Sequence, residues 1–316
     1  MHRTAILGLY AQTSIHAGAG QSVGGVDLPI QREGHTDWPC IFGSAMKGAL
    51  RTRAEACFPS TNGKPARKVQ AVFGPDTEHA SEHAGALNVG DARLLLLPVR
   101  SLTGHFKWVT CPEILRRFAR DVEFLGLQGA FGGWTLPKEP LGDDSTLVPK
   151  EAASEESIYL EEYRLQCRPT DLGSTIDALA RLVARDDAKT VLKHQLAVVG
   201  NGLFRDLARI ATPINAHIAL DSDTKTTRDG ALWYEETLPP DTLLYVPLMA
   251  ASERRGKNHK DDDKKPMEGR EVLATITELF DKRPWLQVGG NETVGMGWCH
   301  VKPLVGGNPD ETGGEG

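Results

Sequence analysis

Residues 14–53 read SIHAGAGQSVGGVDLPIQREGHTDWPCIFGSAMKGALRTR, and this stretch predicts a glycine-rich loop that leads into a helix. Four glycines lie in the loop, where they permit positive φ angles and close approach of the backbone to a ligand: Gly18, Gly20, Gly24 and Gly25. One acid, Asp27, follows them, and Pro29 restricts the backbone two residues later. We therefore expect Asp27 to lie in a constrained loop and not in a solvated run of charges.

The second half of this stretch predicts a helix over residues 45 to about 57, with Ser44 as its N-cap. Lys47 and Arg51 are four residues apart, so they share one helical face. Free amides at a helix start, together with two cations on its first turns, are typical of an anion-binding site. The alternative is that both cations belong to an ordinary solvated face.

Three phrases in this stretch resemble the N-terminal signature of the RAMP superfamily of CRISPR proteins: IHAGAG, VDLPIQREGHTDWPCI and GSAMKGALR. The similarity is closest to the backbone subunit of the type III-B (Cmr) effector complex, and it continues along nearly the whole chain. In that family the subunit repeats along a guide RNA and cuts the target RNA paired with it. The resemblance implies an endoribonuclease whose partners are guide CRISPR RNA, target RNA, further copies of itself in a filament and other Cmr complex subunits.

The composition is that of an ordinary soluble protein, with 40% apolar and 25% charged residues in a chain of 316. No run is long enough to span a membrane, and the first residues, MHRTAILGLYAQ, predict a strand and not a signal peptide. The five cysteines form no CxxC pair, which favours a reducing compartment over a zinc ribbon. We expect a cytoplasmic protein without a membrane partner.

The formal net charge of −6 argues against a nucleic-acid partner, because a basic footprint is the usual sign of one. The cations are clustered, however, at residues 47–53, 64–68 and 116–120. Distant acids barely oppose such clusters, since charges are screened over about 8 Å at physiological salt. The net charge therefore weakens the RNA hypothesis without excluding it.

The rest of the chain predicts strands and helices without the strict alternation of a doubly wound sheet. The predicted strands cover residues 4–10, 86–99, 106–110, 158–165 and 242–249, with a last one ending at about 304. The predicted helices cover residues 112–125, 171–184 and 270–280, and residues 136–153 predict an irregular loop. Residues 191–209 predict an irregular or helical connection, with a strand, a turn and a helix as the alternative. The fold class is α+β. The resemblance implies a modified ferredoxin-like (RRM-like) core with inserted fingers, as one domain over residues 1–305 with a flexible tail at 306–316.

Residues 212–240 predict a β-hairpin, because two strand-like runs, INAHIAL and ALWYEETL, flank the polar turn DSDTKTTRDG. An arm of seven residues spans roughly 23 Å, which is enough to cross a nucleic-acid groove of about 12 Å. The resemblance implies that this hairpin is the thumb that wedges into the guide–target duplex, with Trp233 and Tyr234 as RNA-binding residues. The alternative is that both aromatics belong to the core of an ordinary hairpin.

A second glycine-rich segment, GGNETVGMGWC, lies near the C-terminus and has neither Walker A nor Rossmann spacing. It resembles the C-terminal glycine loop that contacts the guide backbone in RAMP proteins. The resemblance implies RNA contacts by six glycines of the two loops: Gly18, Gly20, Gly289, Gly290, Gly295 and Gly297. Residues 252–268 predict a separate charged loop.

The resemblance also implies that Asp27 is the catalytic residue and that a divalent metal, Mg or Mn, takes part. A single carboxylate with phosphate oxygens and water is a normal, weak magnesium environment. We therefore expect Asp27 to act as a metal ligand or proton acceptor while the RNA 2′-OH attacks the neighbouring phosphate.

Other polar residues are weaker candidates for the chemistry. His16 is the nearest candidate for a proton shuttle or phosphate contact, with a hydrogen-bonded loop histidine as the alternative. Two acids at the base of the hairpin are expected to assist from a neighbouring subunit: Glu235 and Glu236. Three further residues are expected to serve only as polar loop residues: Glu33, His35 and Asp37.

Three alternative functions remain open from the sequence. The first is a non-catalytic guide-RNA-binding filament scaffold, against which the presence of Asp27 argues. The second is the guide-processing nuclease of the same superfamily, which normally lacks such a hairpin and the DLPIQRE phrase. The third, without the resemblance, is a zinc hydrolase using the H-x-x-E-H spacing of His79, Glu82 and His83. That segment is short and lacks apolar periodicity, so a surface loop is the favoured interpretation.

Overall fold

A computed structural model describes residues 3–22, 24–60, 66–75, 83–136, 142–152, 156–221, 223–254 and 265–306. The strands within these ranges are β1 Arg3–Ala11, β2 Cys40–Ile41, β3 Leu87–Val89, β4 Ala92–Arg100, β5 Phe106–Thr110, β6 Ser145–Pro149, β7 Ser157–Leu160, β8 Tyr163–Thr170, β9 Leu196–Val199, β10 Ile214–Leu220, β11 Thr227–Glu236, β12 Leu243–Ala250, β13 Trp285–Gln287 and β14 Trp298–Val305. The helices are α1 Gly43–Cys57, α2 Arg67–Phe73, α3 Pro112–Phe124, α4 Gln128–Phe131, α5 Gly173–Ala180, α6 Ala188–Gln195, α7 Asn201–Ile210 and α8 Gly269–Asp281.

One mixed sheet organises the molecule. Its main path runs β13-β14-β1-β12-β4-β5-β9-β6-β8-β7, with β2 paired to β4 and β3 paired to β12. Strand β1 is an interior strand, third from one end of this path, and is antiparallel to both β12 and β14. Strands β10 and β11 pair with each other in a separate two-stranded sheet. The mixture of strands and helices predicted from the sequence is confirmed.

The two faces of β1 belong to two hydrophobic cores, because successive side chains of a strand point to opposite faces. Leu7 and Leu9 pack in the core that contains residues of α1, α2 and α8, whereas Ile6 and Tyr10 pack in the core that contains residues of α3, α5, α6 and α7. The buried face of α1 repeats at four-residue intervals, as the sequence predicts: Met46, Leu50 and Ala54. Helix α1 therefore packs through this buried face into the core that contains Leu7 and Leu9.

Several predicted elements are confirmed, and others are wrong. Strand β5, helix α3 beginning at Pro112 and the β10–β11 hairpin all lie where the patterns place them. The irregular loop predicted over residues 136–153 instead contains β6. In residues 191–209 the structure has the end of α6, then β9 and α7, so the favoured irregular or helical connection is wrong and the strand-and-helix alternative is the nearer one. These two short strands pair with each other across about fifty residues of chain. Local periodicity carries no signal for such a distant pairing.

Some expectations fall outside the described residues. His79 and Glu82 of the H-x-x-E-H segment, residues 255–264 of the charged loop and residues 307–316 of the tail all do so. None of the described helices combines the length and the apolar character that crossing a membrane would require.

Candidate active site and RNA interface

Asp27 lies against the root of the hairpin. The segment at Leu28 pairs in parallel with β11, because its N–H donates to the carbonyl of Tyr234 (3.0 Å) and its carbonyl accepts the N–H of Glu236 (3.0 Å). The Asp27 side chain is exposed, and its Oδ2 accepts the backbone N–H of Tyr234 at 2.7 Å. The carboxylate therefore accepts the amide that a backbone carbonyl would accept if the parallel pairing continued. This geometry matches the constrained loop expected from the glycines and Pro29.

A shallow cleft opens beside Asp27, with a volume of about 350 Å³ and a lining of Gln21, Ser22, Asp27, Leu28 and Trp233. The Trp233 ring is half-buried and stacks on His217, with centroids 5.3 Å apart and planes 13° apart. A fixed aromatic wall beside a carboxylate can hold a nucleotide, because bases stack on aromatic side chains.

His16 is buried next to the same hairpin root. Its Nδ1 lies 2.8 Å from the carbonyl oxygen of Glu236, and because a carbonyl only accepts, Nδ1 carries the proton in this bond. In the neutral ring Nε2 is then the free acceptor, and it faces Gly18, where an added Cβ would lie 2.9 Å from it. The geometry matches the hydrogen-bonded loop histidine that the sequence leaves open. A catalytic role for His16 stays a prediction.

The C-terminal glycine loop packs onto the residues around His16. The N–H of Gly290 donates to the carbonyl of His16 (2.9 Å), and the N–H of Gly297 donates to the carbonyl of Ser14 (2.8 Å). A Cβ at Gly289 would lie only 2.3 Å from the same His16 carbonyl oxygen. The two glycine-rich segments predicted from sequence are thus in direct contact.

The glycines of these loops have different surroundings. Gly289 and Gly297 combine a φ of +83° with close backbone neighbours, so their lack of a side chain serves packing within the chain. Gly20 and Gly295 also have positive φ, but an added Cβ there would have nothing within 4 Å. Of the six glycines expected to contact RNA, these two combine a positive φ with open backbone that a phosphate could approach.

The start of α1 differs from the prediction. The helix begins at Gly43, its N-cap residue is Phe42, and Ser44 is an exposed first-turn residue without a capping bond. The predicted N-cap role of Ser44 is wrong because Asp91, 48 residues away, accepts the N–H of Gly43 at 2.7 Å. A carboxylate of the chain itself therefore occupies one amide of the predicted anion site.

Lys47 and Arg51 share one face of α1, as predicted, but they are not equivalent. Arg51 donates to Glu55 (2.9 Å) and to the carbonyl of Pro75 (2.9 Å). Lys47 has no hydrogen bond or ion pair within the part of the chain that the structure describes. Burial, and then the nearby Arg51 charge, lower the pKa of Lys47. An anion bound at this face would relieve the unpaired positive charge of Lys47.

The two hairpin acids face their own chain. Glu235 is 4% exposed and Glu236 is 6% exposed. Asn291 donates to Glu235 Oε1 at 2.6 Å, while Arg32 (2.5 Å) and Thr212 (2.7 Å) donate to Glu236 Oε1. The expectation that these acids assist a neighbouring subunit does not fit this geometry, because both carboxylates are buried among groups of their own subunit.

Arg32 and Asn291 are the residues that sequence reasoning missed. The available signals were weak. Arg32 lies within the DLPIQRE phrase, and Asn291 directly follows two glycines and adopts a left-handed φ of 61°. Asparagine tolerates that conformation better than most residues.

The chain can now be compared with known proteins. The sequence profile of the RAMP superfamily matches residues 9–300. The chain belongs to the RAMP superfamily. It is 36% identical over 301 residues, 94% of each chain, to a protein of Pyrococcus furiosus named CRISPR system Cmr endoribonuclease Cmr4.

Solved RAMP structures resemble the chain along its length. The crystal structure of oligomeric Cmr4 from Pyrococcus furiosus covers 97% of this chain and 99% of its own, with a TM-score of 0.69 and 29% identity. A chain in the cryo-EM structure of the type III-B Cmr-beta complex bound to cognate target RNA covers 96% of this chain and 97% of its own, with a TM-score of 0.68. Its identity is 21%, so this likeness concerns the fold alone.

Three polar residues within the longest signature phrase contact their own chain or the solvent. Glu33 accepts two bonds of 2.7 Å from Arg117 Nη1, and Asp37 lies 3.1 Å from Arg209. The His35 side chain is 78% exposed. These contacts agree with the expectation that the three residues are loop residues.

The donors around Asp27 fit only a weakly held metal ion. Among the described residues, no three carboxylate, histidine or cysteine side chains converge on one point. Asp27 offers one carboxylate oxygen that is not held by the Tyr234 amide, and the cleft beside it contains the neutral oxygen donors Gln21 and Ser22. This set suits Mg²⁺ or Mn²⁺ that keeps most of its water and is shared with a substrate phosphate.

Proposed function

We propose that this RAMP chain is the target-RNA-cleaving backbone subunit of a type III-B CRISPR effector complex, and that Asp27 is its catalytic residue. One observation carries the proposal: Asp27 is exposed at the root of the β10–β11 hairpin, with Oδ2 fixed by the Tyr234 amide and Oδ1 without a hydrogen bond among the described residues. The relative from Pyrococcus furiosus, named an endoribonuclease, supports it.

The chemistry follows from this position. The hairpin bends the RNA strand so that the 2′-oxygen lies in line with the P–O5′ bond, and alignment of this kind supplies much of a rate enhancement. The Asp27 oxygen that the Tyr234 amide does not hold accepts the 2′-OH proton as the 2′-O–P bond forms and the P–O5′ bond breaks. The departing 5′ oxygen takes a proton from water, and the resulting hydroxide takes the proton held by Asp27. The products are a 2′,3′-cyclic phosphate and a 5′-OH. A bound Mg or Mn ion would stabilise the negative charge of the phosphate.

Guide RNA would bind through contacts that carry no sequence information. Lys47, Arg51 and Ser44 on α1, with the open backbone at Gly20 and Gly295, are the proposed phosphate contacts. Target sequence would be read by pairing with the guide. The partners are therefore guide RNA, target RNA, further copies of the chain and other Cmr subunits, all in the cytoplasm.

The finer fold assignment belongs to the same proposal. The order β14-β1-β12-β4, antiparallel throughout, with residues of α1 and α8 in one core, supports a ferredoxin-like palm. The β10–β11 hairpin supports the role of thumb, because its outer side chains include four exposed apolar residues: Ile214, Ile218, Leu220 and Leu232.

The experiment is target-RNA cleavage by the reconstituted guide complex, comparing wild type with Asp27→Ala and Asp27→Asn while target affinity is measured in parallel. Both variants are expected to bind normally and to lose regular cuts. A single 2′-deoxy nucleotide at a cut site should block that cut alone.

The alternative is a non-catalytic scaffold. If cutting persists in both Asp27 variants, the catalytic site lies in a partner and the proposal fails. Zinc content is the corresponding check on the hydrolase alternative, which a zinc-free preparation with full activity in Mg²⁺ would exclude.

A further inference from the structure

The Asp27 side chain bonds to the main-chain amide of Tyr234, so the position of β11 decides where the catalytic carboxylate points. The Tyr234 N–H is the group that holds Asp27 Oδ2 (2.7 Å), and the two bonds of Leu28 to β11 hold the backbone beside it. A main-chain amide cannot move independently of the strand to which it belongs. Whatever fixes residues 234–236 therefore also orients Asp27.

Asn291 and His16 are two of the residues that hold this part of β11 from its buried side. Glu235, the next residue after Tyr234, accepts the Asn291 amide at 2.6 Å and lies 3.9 Å from the Nδ1 of His16. The carbonyl of Glu236 accepts the Nδ1–H of His16 at 2.8 Å. Burying a glutamate at 4% exposure is costly unless it is paired. A hydrophobic residue would fill the same space, so the presence of Glu235 calls for a specific role.

Asn291 is itself held firmly. It lies in the C-terminal glycine loop, which bonds to the carbonyls of Ser14 and His16 at its two ends. Ile15, which lies between these two residues, pairs with Leu238 just beyond the hairpin. The Asn291 amide thus reaches β11 from a loop that the N-terminal segment supports.

We propose that Glu235 is a positioning residue for Asp27, which it orients through the Tyr234 amide while Asn291 holds Glu235 in place. This proposal rests on the proposed function, since it concerns the orientation of the carboxylate that cleaves. It assigns Glu235 no proton transfer and no metal. The side chain acts as a hydrogen-bond acceptor, which a glutamine oxygen can replace.

The test compares three variants of the full chain. Glu235→Gln keeps the acceptor, Glu235→Ala removes it, and Asn291→Gly removes the donor while tolerating the left-handed φ. The first readout is hydrogen exchange at the Tyr234 amide in the free chain. The second is the single-turnover cleavage rate of the guide complex at saturating target, with target affinity beside it.

We expect Glu235→Gln to cleave within about threefold of wild type. Glu235→Ala and Asn291→Gly should cleave about 10- to 100-fold more slowly, as a misplaced reacting group does, with target affinity unchanged and faster exchange at Tyr234. The proposal is overturned if Glu235→Gln loses activity as fully as Glu235→Ala, because the carboxylate itself would then be needed. It is also overturned if Tyr234 exchange is unchanged in both other variants.

The exchange measurement separates this proposal from the function on which it rests. If the wild-type complex does not cleave, or cleaves without Asp27, the proposed function fails while exchange at Tyr234 still reports whether Glu235 and Asn291 hold the strand.

Discussion

Replacing Gly289 by alanine tests whether the C-terminal glycine loop must touch the N-terminal loop. Gly289 has a φ of +83°, and an added Cβ would lie 2.3 Å from the His16 carbonyl oxygen. Gly295, in the same loop, has the same φ of +83° but nothing within 4 Å. The two substitutions therefore share the backbone strain and differ in the clash.

The magnitude follows from these two terms. A left-handed alanine costs about 1–2 kcal/mol, which is the whole effect expected for Gly295→Ala. At Gly289 the loop must also move by roughly 1 Å to reach ordinary contact, and overpacking of this kind costs about 1–3 kcal/mol. We expect Gly289→Ala to lower the free energy of unfolding by about 2–5 kcal/mol. At this chain length each kcal/mol lowers Tm by about 1.5 °C.

The assay is equilibrium urea unfolding of both variants and wild type, with thermal unfolding as a second measurement. The reasoning is refuted if the two variants lose the same stability within about 0.5 kcal/mol. Guide-RNA affinity supplies the control: the proposed phosphate contact predicts that Gly295→Ala weakens guide binding while it remains folded.

Two further predictions concern the buried thiols and helix α1. Burial raises the pKa of the thiols of Cys40, Cys111 and Cys299 from 9.0 to about 12. Unfolding therefore releases protons between pH 9 and 12, so the free energy of unfolding falls as pH rises through this range, by about 1.4 kcal/mol per thiol at pH 10. Urea unfolding under reducing conditions at pH 8 and pH 10 measures this fall. Equal stabilities at the two pH values would contradict the prediction. On α1, Lys47→Ala should weaken guide-RNA binding and reduce the slope of log K against log salt by about 0.7. Arg51→Ala should do less, because its guanidinium already bonds to the chain, and a larger effect of Arg51→Ala in a salt titration would reverse that assignment.

The features that local sequence determines could be predicted. The loop containing Asp27, the apolar face of α1, helix α3 and the hairpin each depend on residues a few positions apart. The contacts that complete the site join distant residues. Asn291 and Glu235 are 56 positions apart, and Gly43 and Asp91 are 48 apart. No periodicity within a segment encodes such a partner, so the Ser44 cap was wrong and Asn291 was missed.

The position of β1 between two strands from late in the chain has a consequence for protein synthesis. Its two neighbours, β12 and β14, begin at Leu243 and Trp298, so they leave the ribosome long after β1 does. Until then both edges of β1 have no partner, and the glycine loop that supports His16 does not yet exist. The loop with Asp27 is thus completed only after the residues of β14 have been translated. A shorter nascent chain lacks the strand and the glycine loop that hold this loop in place.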